Sequence, residues 1–407
     1  MSKLLEQINT SDKKLFQLKD LFEIGPQYGY TESASKEKIG PRFLRITDIQ
    51  GNVVDWKTVP YCKISEHEKS KYLLKKDDLV FARTGATTGM SYFIDSDLDE
   101  DAVFASYLIR LRFNKNICSP DLLKYFFQSR NYWGQVNGSL SGSAQPGINA
   151  VVLSEMQVKL PIDLQTQKKI ADILSVYDAK VENNNKIIKN LEATAQTIFN
   201  EWFINFRFPG YEKAKMIESE MGEIPEGWEV RSLDEIAEFL NGVASQKYPA
   251  EDENSSLPVI KIREMNSGVD KNSDRATKNI EEKYIVKNGD ILFAWSGSLS
   301  LMIWVDGEGV LNQHIFKVTS ENYPKWFIYY WTNKHLQNFK MIAEGKATTM
   351  GHIQRHHLTE SKVVVPDKSI LKNANAILEP IFEQQILLQE ENISLKKSRD
   401  QLLAKLI

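Results

Sequence analysis

Two kinds of hydrophobic pattern alternate along the chain, and each occurs twice. Short apolar runs predict strands at 43–49, 79–82 and 108–113, and again at 259–262, 291–295 and 315–318. A short aromatic helix is predicted after each set, at 120–128 and 324–331. A proline (Pro161, Pro366) then opens a long helical segment. In the first, predicted over 166–206, Leu174, Tyr177, Val181, Asn184, Ile188, Leu191, Ala195, Ile198 and Trp202 recur at alternating steps of 3 and 4. That is a heptad seam with one polar member, Asn184. In the second, Leu378, Ile381, Leu388, Leu395, Leu402 and Leu406 form a seam interrupted by Gln385, Asn392 and Arg399. Pro380 is expected to kink or delay this helix.

The halves also repeat in sequence. Asp78-Leu79-Val80-Phe81-Ala82 returns as Asp290-Ile291-Leu292-Phe293-Ala294, 212 residues later. Leu44-Arg45-Ile46 returns as Ile260-Lys261-Ile262 at 216, Leu18 and Leu21 as Leu233 and Ile236 at 215, and Ile148, Leu153 and Pro161 as Ile353, Leu358 and Pro366 at 205. Four matches in one order at offsets near half of 407 make the chain two copies of one design.

The expected fold class is α+β. Two mixed α/β domains (12–160 and 211–365, the latter including a linker) are expected at opposite ends of an antiparallel pair of long coiled-coil helices (161–210 and 366–407), related by a pseudo-twofold. Exposed seams would leave long apolar stripes, so mutual packing is the economical solution; the alternative is that each helix binds a different partner. Asn184 and Asn392 then serve as polar seam residues that set register. Two similar but non-identical heads on a spacer suit an extended target with two unlike half-sites, duplex DNA above all. A protein filament, or a two-headed protein-docking scaffold, would fit the same shape.

Composition refines this picture. An apolar share of 42% and a charged share of 26% are those of an ordinary globular protein. The net charge of −3 argues against a histone-like basic binder. It averages a first domain (12–160) with 20 Lys+Arg and 18 Asp+Glu and a second (222–365) with 16 and 20. Only Cys62 and Cys118 occur, without metal spacing, and two reduced thiols are expected. The N-terminal 17 residues carry no apolar stretch of signal-peptide length, and no run approaches the ~18 residues of a membrane span. A cytoplasmic protein with no membrane association is expected.

Longer motifs carry a family resemblance. Met221-Gly222-Glu223-Ile224-Pro225-Glu226-Gly227-Trp228-Glu229-Val230, followed by Leu233, resembles the entry to a target recognition domain in specificity subunits of type I restriction–modification systems. So does Gly289-Asp290-Ile291-Leu292-Phe293-Ala294. Gln167-Lys168-Lys169-Ile170-Ala171-Asp172-Ile173-Leu174 and residues 199–210 resemble that family's central spacer helix and its exit. The resemblance covers about residues 12–407. It implies two target recognition domains, each reading half of a split site on double-stranded DNA. It also implies docking of two methyltransferase (modification) subunits, and of restriction/translocase subunits through them. S-adenosylmethionine, ATP and Mg would then belong to those partners, with no catalytic centre and no cofactor in this chain. The specificity component of a related system that cuts near its site is the neighbouring alternative.

The catalytic motifs sought are missing. No Pro-Pro pair exists for an adenine-methyltransferase loop, and Gly345-Lys346-Ala347 lacks the spacing and hydroxyl of a P-loop. Glu281-x-Lys283 is too common a pattern to mark a nuclease. His352, His356 and His357 lie close in sequence but have no nearby Cys, so no metal site is assigned.

Three segments per copy have DNA-contacting chemistry. The first holds Tyr28, Tyr30, Thr31, Lys36, Lys38 and Arg42, with Gln246, Lys247, Tyr248 and Arg263 as counterparts; Arg45 and Lys261 fall inside strand patterns and have a structural reading. The second is the post-strand loop with Arg83, Thr84, Gly85, Thr87 and Thr88, matched by Ser296, Gly297 and Ser298, with Trp295 in place of Arg83. The third, which the resemblance places where a recognition domain meets the spacer, holds Ser143 and Gln145, then Lys346, Thr348, Thr349, His352 and Gln354. Gln145 and Gln354 have the chemistry to read adenine and equally to cap a turn. A solvated loop, or a tight turn that needs glycine, accounts for many of these residues as well. Because phosphate neutralisation normally supplies much of the affinity, the isolated chain is expected to bind DNA weakly. Tight, specific binding by it at physiological salt would overturn that expectation.

Overall fold

The structure, a computed structural model, describes residues 11–51, 53–85, 87–140, 147–250, 252, 254–345 and 351–407. It divides into two compact units, 1–179 with 396–407, and 180–395.

In the first unit, strand Lys13–Gln17 pairs antiparallel with Gln157–Pro161, so the beginning and end of the mixed domain close on each other. Between them lies a four-stranded antiparallel sheet in the order Phe22–Tyr28, Leu108–Phe113, Asp78–Ala82, Ser91–Phe93. Arg42–Leu44 pairs parallel with Ala102–Phe104. The apolar run at 78–82 is central because both its faces are covered. Leu79 and Phe81 face a core shared with Phe113, Tyr125, Phe126 and Tyr132. Val80 and Ala82 face another, with Leu44, Ile49 and Phe104.

The second unit repeats this order. Glu229–Ser232 pairs with Lys362–Val365. The four-stranded antiparallel sheet runs Glu238–Asn241, Ile315–Thr319, Ile291–Ala294, Ser300–Ile303. Ser256–Ile260 pairs parallel with Gly309–Leu311. Ile291 and Phe293 again face an aromatic core with Trp326 and Phe339, while Leu292 and Ala294 face Ile260 and Leu311.

Several predicted elements change length. The strand predicted over 43–49 stops at Leu44, and a 3-10 turn, Ile46–Asp48, follows because the Asp48 carboxylate accepts the Arg45 N–H and closes the chain on itself. The matching 259–262 prediction ends at Ile260, where Glu264 does the same for Lys261. The aromatic helix of the second unit extends far beyond its predicted end, to Lys325–Glu344. Its counterpart divides into Pro120–Phe126 and Arg130–Leu140. The first long helix, Leu164–Phe199, passes into a π-helical turn, Asn200–Ile204. Pro380 does not delay the second, which runs Lys368–Leu406 with the proline inside it.

The long helices pack antiparallel within each unit. In the second unit Asn184 Nδ2–H donates to Asn392 Oδ1 (3.0 Å) and Glu391 Oε2 (2.7 Å), and Asn392 returns a bond to Asn185 (2.9 Å). Ala195 and Phe199 share a core with Ala374, Leu378 and Phe382. In the first unit Arg399 pairs with Asp178 at 2.5 Å, and Leu403 and Leu406 share a core with Leu174. The seam is buried at Leu174, Asn184, Leu378, Leu388 and Asn392. Tyr177, Val181, Ile188, Leu191, Ile198, Trp202, Ile381, Leu395 and Leu402 are only partly buried. Toward the ends burial moves one residue on, to Phe199, Phe203 and Leu403, because there each helix faces the mixed domain's core as well as the other helix. Burial pushes the Cys62 and Cys118 thiols up to about 11 and about 12, which disfavours the reactive thiolate. Among the described residues no helix is long and apolar enough to cross a membrane.

Candidate nucleic-acid interface

The second candidate loop meets Gly147-Ile148 in the first unit and His352-Ile353 in the second, at the same backbone node in both. In the first, Arg83 N–H donates to Tyr107 O (3.1 Å) and Arg83 O accepts Ile148 N–H (2.9 Å), while Thr84 bridges to Gly147. In the second, Trp295 N–H donates to His314 O (3.2 Å) and Trp295 O accepts Ile353 N–H (3.1 Å), while Ser296 bridges to His352. The glycine after each bridge, Gly85 and Gly297, has φ of 81° and 68°, so the turn requires the left-handed region at both.

The side chains on this shared node differ. The Arg83 guanidinium lies over the half-exposed Tyr28 ring at 4.9 Å, and Tyr28 Oη accepts Ala150 N–H (3.1 Å). In the second unit Trp295 replaces the cation. Its Nε1–H donates to Asn241 Oδ1 (2.9 Å), and its ring stacks on Phe316 at 5.7 Å. Ser296 Oγ meets His314 Nδ1 at 2.9 Å, and the His352 ring stands edge-on to Trp295 at 6.3 Å. Arg355 lies over the Phe316 ring at 5.6 Å.

Not every candidate residue joins the node. Tyr30 Oη–H donates to Glu68 (3.3 Å) and its ring packs on Tyr72. Lys38 and Arg42 both pair with Glu100, at 3.0 and 3.2 Å, and together hold its carboxyl below the ordinary value, Lys38 contributing most. Arg42 also lies over Tyr61 and donates to Val59 O (2.7 Å). Thr31 and Lys36 are exposed, as are Gln246 and Lys247 on a 3-10 turn, whereas Tyr248 packs beside Val259, Ala276 and Val310. Arg263 lies among Glu264, Asp270 and Ser273, and its bonds to Asp270 and then Glu264 raise its pKa further. Arg45 and Lys261 are tied to Asp48 and Asp274. Thr88 is buried and donates to Gly85 O (2.7 Å), whereas Thr87 is half-buried and Ser298 exposed. Gln354 stands at the N-cap of helix Arg355–Glu360, where its N–H donates to His357 Nδ1 (2.9 Å). Asn149 holds the equivalent cap in the first unit. Ser143, Gln145, Lys346, Thr348 and Thr349 lie outside the described residues.

The ligand atoms of His356, His357 and Glu360 fall within 4.8 Å of one another. His357 Nδ1 is already an acceptor for the cap, which leaves this cluster short of a zinc ligand set. Sequence reasoning missed Tyr107, Asn241 and His314. Extending the repeat by residue would have found the first and last, since Tyr107-Leu108 and His314-Ile315 stand 207 apart at the start of matching strands.

A family model described as the type I restriction modification DNA specificity domain matches residues 10–193 and 225–397. The chain belongs to this family. Members of this specificity-subunit family recognise DNA and are not the catalytic subunits of their systems. The MjaIX specificity subunit of Methanocaldococcus jannaschii is 28% identical over 304 residues, covering 70% of this chain and 68% of the relative. The HindI specificity subunit of Haemophilus influenzae is 23% identical over 417 residues, covering 85% and 90%. The crystal structure of a type I S subunit from M. genitalium is 16% identical, covers 98% of this chain and 97% of that one, and has a TM-score of 0.53. The fold is therefore that of a specificity subunit, with the family's domain matched once in each half.

Proposed function

We propose that the two units read the two unlike halves of a bipartite duplex site and present it to partner subunits. The observation that carries this reading is the repeated node. The same backbone bonds hold Arg83 and Trp295, yet the side chains displayed there are Arg and Tyr in one unit and Trp, Asn and His in the other. Base discrimination needs side chains on a rigid support, and a fixed support with changed side chains gives two readings. In this proposal Tyr28, Arg83, Thr84 and Gly85 serve the first half-site, and Ser296, Gly297, Ser298 and His352 the second. Exposed Lys36, Gln246 and Lys247 are suited to phosphate contacts. Ser143, Gln145, Lys346, Thr348 and Thr349 join them on chemistry alone.

Two methyltransferase subunits would dock on this chain, with restriction/translocase subunits bound through them, in the cytoplasm. S-adenosylmethionine, ATP and Mg would act on those partners, where the target adenine is flipped for methyl transfer. The net deficit of cations in the second domain means that the partners supply much of the phosphate neutralisation. The test exchanges residues 12–160 for the recognition domain of another member of the family and maps methylated adenines in a host genome. One half of the recognised motif should change and the other stay. A motif unchanged in both halves, or changed in both, would refute the assignment.

A further inference from the structure

We infer that Tyr107 and His314 are specificity-determining residues, one for each half-site; the inference rests on the DNA-reading function proposed above. They occupy the same point of the repeat. The carbonyl of each receives the N–H of residue 83 or 295, so each side chain is held at a fixed place beside the candidate loop. Each stands just before a strand that begins at the following residue, Leu108–Phe113 or Ile315–Thr319, and its position therefore follows the sheet rather than a loose loop.

Their exposure sets them apart from the buried strands that they precede. Tyr107 is 58% exposed, whereas Phe104, Leu108 and Ile109 beside it are fully buried. Its hydroxyl has no hydrogen-bond partner among the described residues, so the ring contributes little to the core and its polar tip is open to a ligand. His314 is exposed too. Its Nδ1 is engaged by Ser296 Oγ at 2.9 Å, which fixes the ring plane and leaves Nε2 for an external group. A phenol hydroxyl can donate and accept, and an imidazole Nε2 can do either one according to its tautomer, so both suit base edges but from different distances and angles. Neither carries the fixed positive charge of a pure phosphate contact.

The test uses the complete assembly in cells, with methylated sites mapped genome-wide for the wild type and for Tyr107→His and His314→Tyr. These exchanges place in each unit the residue that the same backbone already holds in the other, so folding should survive. Tyr107→Phe, which removes only the hydroxyl, provides a second and milder variant. Tyr107→His should alter or relax base preference in one half of the motif by about 5- to 100-fold at a position and leave the other half intact. His314→Tyr should do the reverse. Methylation that falls uniformly at every site with the motif unchanged would overturn the inference, because a phosphate contact or a loss of stability acts that way. So would an unchanged motif at undiminished methylation. A wild type whose sites show no bipartite motif would instead remove the underlying function.

Discussion

Asp78→Ala is expected to destabilise the first unit by about 3–5 kcal/mol, the usual cost of leaving a buried charge without its partner. Asp78 is completely buried at the start of the central strand. Its two oxygens accept from Arg112 Nε (2.7 Å) and Nη2 (2.8 Å), a bidentate pair across adjacent strands. One of them also accepts Lys75 N–H (2.9 Å) and closes the turn before the strand. Arg110, itself buried, adds to the dependence. Desolvation lowers its pKa, and the Asp78 charge is what opposes that. Removing the carboxylate therefore strands one paired cation, weakens the setting of a second and opens a turn. Asp290 has the same place in the second unit and accepts Lys287 N–H (2.8 Å). Its cation, Lys317, stands farther off at 3.6 Å and has a separate bond to Ile285 O. Asp290→Ala should accordingly cost less, about 1–2 kcal/mol. Denaturant unfolding of both variants measures the difference, and equal losses would contradict this account.

That asymmetry marks how far the sequence could be read. The repeated Asp-apolar-apolar-Phe-Ala run announced two equivalent central strands, since consecutive apolar residues imply cover on both faces. It could not announce Arg112, because the partner lies 34 residues away and is selected by strand register. The same limit applies to the candidate contact residues. Lys38 and Arg42 look like free cations in a Gly-containing loop, yet Glu100, some 60 residues on, holds both. Tyr107 escaped notice because a lone tyrosine before an apolar strand reads as core. Its exposure in the folded chain, together with its carbonyl opposite Arg83, places it beside the candidate loop instead. On the long helices the heptad located the Asn184–Asn392 contact, where helix meets helix. It lost phase at Phe199 and Leu403, since a period of 3.5 assumes one facing partner along the whole length.

Gly29→Ala and Gly242→Ala should each abolish recognition of one half-site while the other half is still read. Both glycines sit where one backbone crosses another at contact distance. A Cβ on Gly29 would lie 2.2 Å from Ala105 O and 2.3 Å from Phe104 O; on Gly242 it would lie 2.3 Å from Asn312 O and 2.4 Å from Leu311 O. These neighbours are backbone atoms, which cannot rotate away as a side chain would. The next residues, Tyr30 and Val243, pair in parallel with Ala105 and Asn312, so the crossing is part of each unit's sheet framework. Forcing it apart should cost about 3 kcal/mol, at the upper end for overpacking. The preceding residues carry the consequence to the candidate interface, because Tyr28 supports Arg83 and Asn241 holds Trp295. Gly134→Ala is the control. It adds the same methyl within helix Arg130–Leu140, where nothing lies within 4 Å, and should stabilise by up to about 1 kcal/mol. If Gly29→Ala left the methylated motif and the melting temperature as unaffected as Gly134→Ala does, the close crossing beneath the candidate interface would not exist.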